Sequence, residues 1–221
     1  MAPMDLKRLL ELLREAYDVH DWWPSRSTFE VMVGAILTQQ TNWESVTKVM
    51  DRLRSEGLLE VDRMAECGLP QLESAIRPTG SYRQKARRVK RLAEYIRERH
   101  GSDPMKLLNG PTDTVRNELL SLEGIGRETA DSILVFGARR AKFVAAAYPA
   151  RVLSRTGVFR SKDYDEIQSF VETNLKGGPE TYRDIYALMV QLSKDVCRPI
   201  PYCERCSLRS ECEYPTGPGR R

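Results

Sequence analysis

The 221-residue sequence lacks any long apolar run and any recognisable secretory signal. Its longest apolar stretch, residues 31–37, is far too short to span a bilayer. The first eight residues lack the apolar segment with which a secretory signal begins. We therefore expect a soluble, cytoplasmic protein with no membrane partner. Because 41% of the residues are hydrophobic, the chain is too apolar to be disordered, and its length suits one large or two modest domains.

An excess of charge of one sign is also missing, and histidine is rare. The 35 Lys and Arg residues against 31 Asp and Glu residues leave a net charge of only +4. An anionic partner would therefore have to bind at local clusters of basic residues. One such cluster is residues 83–91, where six of the nine residues are basic and none is acidic. Within it, Arg83 and Lys85 are candidates for contacts with a phosphate backbone, the alternative being a solvated helix surface. His20 and His100 have no metal-ligand spacing, and neither is predicted to be functional.

Strand-like alternation of apolar and polar residues is absent, which predicts an all-α protein. Leu6, Leu9, Leu10 and Leu13 recur at helical spacing after Asp5, a residue able to cap the helix. A long helix is expected from about residue 82 to residue 100, and Asp113 is expected to cap another. No internal repeat or low-complexity linker divides the chain.

Cysteine is scarce except at the end of the sequence. Cys67 stands alone and is expected to be a small buried residue. The other four follow the pattern Cys197-x5-Cys203-x2-Cys206-x5-Cys212. Such crowding and the odd total favour metal ligation over disulfides. Structural zinc sites usually pair two short cysteine knuckles, and only one short pair is present, so a [4Fe–4S] cluster is favoured over zinc.

Residues 119–130, Leu-Leu-Ser-Leu-Glu-Gly-Ile-Gly-Arg-Glu-Thr-Ala, predict a helix, a tight turn and a second helix. Glycines at 124 and 126 can take a positive φ and can approach a ligand without a Cβ atom in the way. The free amides at the start of the second helix can bind a phosphate without reading base sequence. An ordinary helix–helix turn is the alternative. The residues expected to contact the backbone here are Leu122, Gly124, Ile125, Gly126, Arg127 and Thr129.

Together, the hairpin and the cysteine loop resemble the endonuclease III superfamily of helix-hairpin-helix DNA glycosylases. Three more segments are similar to that family: residues 34–41 (Gly-Ala-Ile-Leu-Thr-Gln-Gln-Thr), residues 80–86 (Gly-Ser-Tyr-Arg-Gln-Lys-Ala) and residues 143–153, which match the segment that carries the family's catalytic aspartate. The resemblance covers about residues 20–212. One departure is that the family usually has one more residue between its first two cysteines.

The resemblance implies a two-lobed helical fold. Residues 22–137 would form a six-helix bundle that ends in the hairpin. Residues 1–21 and 138–221 would form a second helical lobe that carries the cluster loop, residues 197–212. The partner would be damaged double-stranded DNA in the nucleoid, bound by a monomer that flips the target base out of the stack. Gln40 would fill the vacated position, although capping a helix end is an equal alternative for it.

At two positions the sequence departs from the family's pattern in a way that affects the predicted catalytic chemistry. Lyase-active members have a lysine that forms a Schiff base, and Glu128 stands at the matching position, so this route is not expected. A branch that acts on 3-methyladenine also has a glutamate there; the alternative role of Glu128 is to stabilise the helix dipole. The family's catalytic aspartate corresponds to Ala146, which has no acid–base group. The chain is then a non-catalytic binder, an inactivated enzyme, or an enzyme in which Glu128 or Asp131 takes over.

Aromatic residues complete the predicted site. Trp22, Trp23, Trp43 and Tyr148 are candidates for a base pocket, although core packing is the ordinary role of any single tryptophan. An alkylated purine is cationic, so indole faces attract it and it is a good leaving group. We therefore predict a monofunctional DNA N-glycosylase of base excision repair that prefers alkylated purines. The alternatives are a non-catalytic iron–sulfur protein that binds lesions and an inactivated variant of a glycosylase/lyase.

Overall fold

The computed structural model describes residues 4–20 and 22–214, and over these residues it is helical with no strand. This confirms the all-α prediction. The α-helices are α1 (Leu6–Ala16), α2 (Thr28–Leu37), α3 (Trp43–Ser55), α4 (Val61–Glu66), α5 (Leu69–Ile76), α6 (Tyr82–His100), α7 (Pro104–Leu107), α8 (Thr112–Leu120), α9 (Arg127–Ser132), α10 (Ala147–Thr156), α11 (Tyr164–Asn174) and α12 (Pro179–Asp195). Within the described ranges, no helix is both long enough and apolar enough to cross a membrane.

The chain divides into two compact units. Unit 1 combines Met1–Trp22 with Ala141–Arg221, and unit 2 is Trp23–Arg140. The boundaries lie one and three residues from those expected from the sequence. Unit 1 therefore contains α1, α10, α11, α12 and the cysteine loop, whereas unit 2 contains α2 to α9.

Helix α2 is the central element of unit 2. Apart from Glu30, its buried residues are apolar and surround the helix axis, and Thr28 is its only residue that is not buried, as in a core helix rather than an amphipathic one. Ser27 caps it by accepting a hydrogen bond from the backbone N–H of Glu30. The buried carboxylate of Glu30 is satisfied by the Arg54 guanidinium, whose Nη2 lies 2.8 Å from Oε2.

Helix α6 supports the other elements of unit 2. Its bounds agree with the predicted helix, and Gly101 ends it in a left-handed conformation. Its apolar face packs against α4 and α5. The hairpin comes after it in the sequence, with α8 leading into the turn and α9 leading out of it. Helix α9 continues directly into a π-helical turn, Ile133–Gly137.

Unit 1 has its own core, in which α1 packs against α12. Asp5 caps α1 as predicted, accepting a hydrogen bond from the Arg8 N–H at 2.8 Å. The leucines of α1 at helical spacing are all buried. Burying this stripe removes four leucine side chains from water, each contributing roughly 1.5–3 kcal/mol. Helix α1 therefore packs with the C-terminal part of the chain, although more than 100 residues separate them in sequence.

Candidate DNA-binding site and cysteine loop

The two hairpin glycines have different roles. Gly124 has φ +84°, the left-handed region that favours glycine, and a Cβ atom there would collide with the Arg88 side chain. Gly126 has φ −89°, so the expectation of a positive φ was wrong at this position. Apart from its two chain neighbours, no atom of the described residues would lie within 4 Å of a Cβ atom on Gly126. Gly124 is therefore required by the fold, whereas Gly126 leaves open space beside the backbone.

The start of α9 is arranged for a ligand on its backbone. Gly126 is its N-cap and has no side chain with which to accept a hydrogen bond from the first amides. The Ile125 side chain is buried and Leu122 is half-buried, both in the core of unit 2. The predicted contacts of the hairpin with a backbone therefore fall to the main chain around Gly126 and to exposed Arg127.

A glutamine that the sequence analysis did not select connects the hairpin to the end of α2. The Gln39 amide donates from Nε2 to the Gly124 carbonyl at 2.9 Å and to Thr129 Oγ1 at 3.0 Å. Its Oε1 accepts a hydrogen bond from Arg88 Nη1 at 2.7 Å. The buried Thr129 hydroxyl thus serves the turn internally and is not an exposed donor. The sequence indicates the segment through the adjacent pair Gln39-Gln40, but the pair alone does not show which glutamine binds the hairpin and which is exposed.

Gln40 itself lies at the surface in a strained conformation. Its φ is +52°, uncommon for a residue with a Cβ atom, and its side chain is exposed. A polar side chain held outward at the end of a helix fits the predicted entry into a base stack. The alternative, in which Gln40 caps α2 with its side chain, has no hydrogen bond that supports it among those described.

Lys85 corrects the sequence prediction. Only 2% of its surface is exposed, and its ammonium donates to the Leu37 and Thr79 carbonyls at 2.9 and 2.8 Å and to Thr41 Oγ1 at 2.5 Å. All three donors are used, so Lys85 does not contact a phosphate. Burial, together with the like charge of Arg88, lowers its pKa to about 8.

Arg83 behaves differently from Lys85 because it lies on the outer face of α6. Its guanidinium is exposed and is 3.9 Å from the Glu73 carboxylate, a loose surface pair. It also lies 5.6 Å from the centre of the Tyr82 ring. Arg83 thus stays a candidate for phosphate contact.

The structure excludes Asp131 as the acid that could take over the catalytic role. Its carboxylate is completely buried and accepts two hydrogen bonds from Arg116, at 2.6 and 3.0 Å. A carboxylate in such a bidentate pair supports the hairpin helix and cannot reach a reacting base. The Asp131 alternative is therefore wrong for a structural reason.

Glu128 lies in the first turn of α9 with solvent-exposed surface. Surrounding protein atoms nevertheless desolvate its carboxyl group and raise its pKa above the usual range. Ala146 is the N-cap of α10 in unit 1; it is 4% exposed and offers no acceptor to the helix. The position is thus one where an acidic or amide side chain would normally be favourable.

The predicted aromatic residues separate into two groups. In unit 2, the Trp23 and Trp43 rings meet edge to face with centroids 5.3 Å apart. Phe136, from the π-helical turn, lies 4.8 Å from Trp23 and was not foreseen. A Cβ atom on Gly34 would contact the Trp23 ring at 3.4 Å, so the glycine allows the indole to lie on α2.

Trp22 and Tyr148 belong to unit 1, where each is paired with a cation. The Lys194 ammonium lies 5.1 Å from the Trp22 ring, and the Arg151 guanidinium lies 5.2 Å from the Tyr148 ring. Tyr148 is 39% exposed. The structure therefore places two of the four predicted pocket residues together, with Phe136 as a third member in unit 2.

The cysteine loop is held to α10 by arginine. Arg151 Nε donates to the Cys197 carbonyl at 2.8 Å, and Arg155 Nη1 lies 3.5 Å from Cys197 Sγ. The Cys212 thiol in turn lies 3.4 Å from the Arg155 carbonyl. Both ends of the four-cysteine segment therefore contact one turn of the same helix.

The thiols of the loop share a half-buried environment. Burial raises the pKa of Cys206 and of Cys212, to about 11 for Cys212, and the neighbouring cysteines add to both shifts. Across residues 4–20 and 22–214, no group of three or more His, Cys, Asp or Glu side chains is close enough to hold one metal ion. Cys67, which belongs to unit 2, is buried as expected.

A helix, a glycine turn and a second helix with uncapped amides, next to the exposed Gln40, define a helix-hairpin-helix protein. Residues 33–176 match the profile of the HhH-GPD superfamily base excision DNA repair proteins. This match covers well over half of the sequence, and the chain belongs to that superfamily. The family inferred from the hairpin and the cysteine spacing is thereby confirmed.

Individual relatives agree. A candidate DNA repair glycosylase of Methanocaldococcus jannaschii is 39% identical over 93% of this chain and 94% of its own length. Endonuclease III of Thermotoga maritima is 28% identical over 84% of this chain and 83% of its own length. The 3-methyladenine DNA glycosylase MagIII of H. pylori, solved with bound 1,N6-ethenoadenine, superposes with a TM-score of 0.77 and 26% identity, covering 86% of this chain and 98% of its own.

Proposed function

We propose that the chain is a monomeric, monofunctional DNA N-glycosylase that acts inside the cell on alkylated purines such as 3-methyladenine in duplex DNA. The observation that carries this proposal is the hairpin, where an uncapped helix start and the open space at Gly126 allow a phosphate to reach the backbone amides. Contacts of this kind hold the duplex without reading its sequence, as a lesion-searching protein requires.

The aromatic group of unit 2 supports the choice of base. The Trp43 and Phe136 rings each contact the Trp23 ring, with centroids 5.3 and 4.8 Å from it, and both tryptophans are half-buried. Indole faces bind a flat cation by stacking and by cation–π attraction. A methylated purine carries that positive charge and an unmodified purine does not. MagIII, with an ethenoadenine bound, is similar in structure and above one quarter identical in sequence.

The chemistry follows from what Glu128 can do. Because residue 128 is not a lysine, this position offers no amine to form an imine with the sugar, and cleavage of the strand is not expected. In hydrolysis, water attacks C1′ of the sugar while the base departs with the electron pair of the N-glycosyl bond. A cationic purine leaves as a neutral molecule. The carboxylate of Glu128, made more basic by desolvation, would accept the proton lost by the water.

We further propose that Cys197, Cys203, Cys206 and Cys212 hold a [4Fe–4S] cluster, with zinc as the alternative. Four cysteines in one loop are the donor set that such a cluster takes, and the Arg155 N–H near Cys197 Sγ is the kind of donor that stabilises cluster sulfur. When bound, the cluster supplies cross-links within the loop. This chain's own residues then dock the loop on α10 through Arg151 and Arg155.

A second candidate, a lesion-binding protein that does not cut, is favoured by one observation. Ala146 is buried at the N-cap of α10 and has no group that could stabilise an oxocarbenium-like sugar or orient water. Loss of a positioned acid–base group typically lowers the rate by roughly 10²–10⁴-fold. In this reading the hairpin, Gln40 and the aromatic group still recognise the lesion.

A panel of duplexes with single defined lesions tests both candidates. The protein is incubated with each duplex in excess enzyme, and alkali then reveals any abasic site. We expect release of 3-methyladenine or another cationic purine, no cleavage before alkali, and loss of release in E128Q. Tight, lesion-selective binding without release from any duplex would instead establish the non-catalytic candidate, and equal binding to damaged and undamaged DNA would contradict both.

A further inference from the structure

Two surface turns of unit 2 hold non-glycine residues in the left-handed region. In the turn that follows α2, Gln40 has φ +52°. In the turn that precedes α6, Gly80 and Ser81 have φ +64° and +42°. All three residues are exposed. A left-handed backbone at a residue with a Cβ atom persists only where surrounding contacts impose it, so something beneath these turns must hold them.

Lys85 is the group beneath them. It projects from α6 into the protein, and its ammonium binds the Leu37 carbonyl and Thr41 Oγ1 on the first turn and the Thr79 carbonyl on the second. The Thr41 hydroxyl also donates directly to the Thr79 carbonyl. Thr41 and Thr79 thus share the buried Lys85 ammonium. The exposed Gln40 immediately precedes Thr41 in sequence, and the exposed Gly80 immediately follows Thr79.

Among the described contacts, Lys85 is the only charged donor to these acceptors. Lys85 and Thr79 are almost completely buried, at 2% and 1% exposed. A buried carbonyl that loses its only charged donor is not rescued by water, so the two turns would have to move to find other partners. Gln39, which lies in the first of these turns, has separate side-chain partners, because its amide donates to the Gly124 carbonyl of the hairpin and accepts from Arg88.

We propose that Lys85 is a positioning residue that locks the 38–42 turn and the 79–81 turn into one rigid element, which keeps Gln40 aimed at the gap in a base stack. The inference rests on the proposed function, because it is that function which brings a disrupted stack to Gln40. Lys85 touches no DNA itself. Its contribution is to fix, before binding, a conformation that Gln40 would otherwise adopt only part of the time.

The matched control lies further along the same helix. Lys90 also donates from its ammonium to two carbonyls, those of Ala65 and Cys67, and so ties α6 to the end of α4. Neither of these carbonyls belongs to a turn with an exposed left-handed residue. K85M and K90M therefore each remove one lysine that binds main-chain carbonyls, but only K85M releases the Gln40 turn.

The experiment compares the affinity for a duplex with a tetrahydrofuran abasic analogue with the affinity for the same duplex undamaged. A 2-aminopurine opposite the analogue reports unstacking in the same complexes. We expect K85M to lower the ratio of the two affinities at least tenfold and to abolish the fluorescence rise, while affinity for the undamaged duplex stays within twofold. K90M should leave both the ratio and the fluorescence rise unchanged.

T41V serves as a second, milder variant in case K85M does not fold, since it removes only the hydroxyl shared by the two turns. It should lower the ratio in the same direction. If wild-type protein discriminates between the duplexes and K85M and T41V discriminate equally well, Lys85 is only structural and this inference is wrong. If wild-type protein does not discriminate, the proposed function fails as well, so the two failures are distinguishable.

Discussion

At the scale of single residues, Ala146 stands at a position that asks for a hydrogen-bond acceptor. It is the N-cap of α10, and Pro149 three residues later has no N–H, so the Tyr148 amide is the donor that a side chain at 146 would reach. An aspartate there would restore both a cap and the carboxylate that the resemblance assigns to this position. The two effects can be separated because an amide side chain caps as well as a carboxylate does.

We predict that A146D raises the rate of purine excision by about 100-fold or more and that A146N does not. Both substitutions should raise the free energy of unfolding by about 1 kcal/mol through the new cap. Single-turnover excision and urea denaturation measure the two quantities. Equal rates for A146D and A146N would show that the carboxylate has no catalytic role at this position.

Residue types were predictable from the sequence, but the direction of their side chains was not. The pair at 39 and 40 marked this segment as important, yet which glutamine turns inward depends on the positive φ of Gln40, and that is imposed by contacts beneath the turn. Lys85 was assigned to the surface because lysine usually lies there. Its burial could not be foreseen, since its three acceptors come from residues 37, 41 and 79.

At the scale of the elements, the hairpin gives the sharpest test of how DNA is held. The two glycines differ in what a methyl group would meet: protein at Gly124 and open space at Gly126. A substitution at Gly124 therefore tests folding, whereas one at Gly126 tests the approach of an outside partner to the backbone.

We expect G124A to lower the free energy of unfolding by about 1–3 kcal/mol because it combines a left-handed alanine with overpacking against Arg88. We expect G126A to keep near wild-type stability but to weaken binding to any duplex about tenfold, with an unchanged dependence on salt because a backbone amide neutralises no phosphate charge. Fluorescence anisotropy at several salt concentrations, together with thermal melts, measures both. Wild-type affinity in G126A would mean that no phosphate approaches this backbone.

The helices themselves were well predicted, and their ends less so. The bounds of α6 and the Asp5 cap of α1 follow from apolar spacing and capping residues, and the structure agrees. Asp113 lies in the first turn of α8 instead of capping it, because Pro111 is the N-cap and the helix begins at Thr112, two residues earlier than expected. The π-helical turn of residues 133–137 had no signal, since an apolar run looks the same with one extra residue per turn.

At the scale of the whole molecule, the cysteine loop joins the first and last parts of the chain within unit 1. Arg8 of α1 binds the Glu211 carboxylate at 2.7 Å, next to the last cysteine. Leu208, also in the loop, is buried in the same core as the α1 leucines. Loss of a bound cluster should therefore loosen unit 1 and leave unit 2, with its separate core, intact.

We predict that purified protein shows the broad visible absorbance of a [4Fe–4S] cluster and that C203S abolishes it. In C203S, amide hydrogens of α10 and of the end of α12 should exchange faster, while those of α2 and α6 keep their protection. C67A is the control, because that cysteine is in the core of unit 2. Zinc in place of iron by elemental analysis would overturn the cluster assignment, and uniform loss of protection would contradict the independence of the cores.

Unit 1 is formed by two segments that unit 2 separates in the sequence. This order has a consequence for synthesis on the ribosome. The leucine stripe of α1 emerges early, but its partner α12 follows about 170 residues later, as the Arg14–Asp184 pair shows. Unit 2 can complete its core while that stripe still waits uncovered. Nascent chains should therefore engage a chaperone through α1, and the four cysteines of the loop, which emerge after α1 to α12, receive any iron only once those helices have been made.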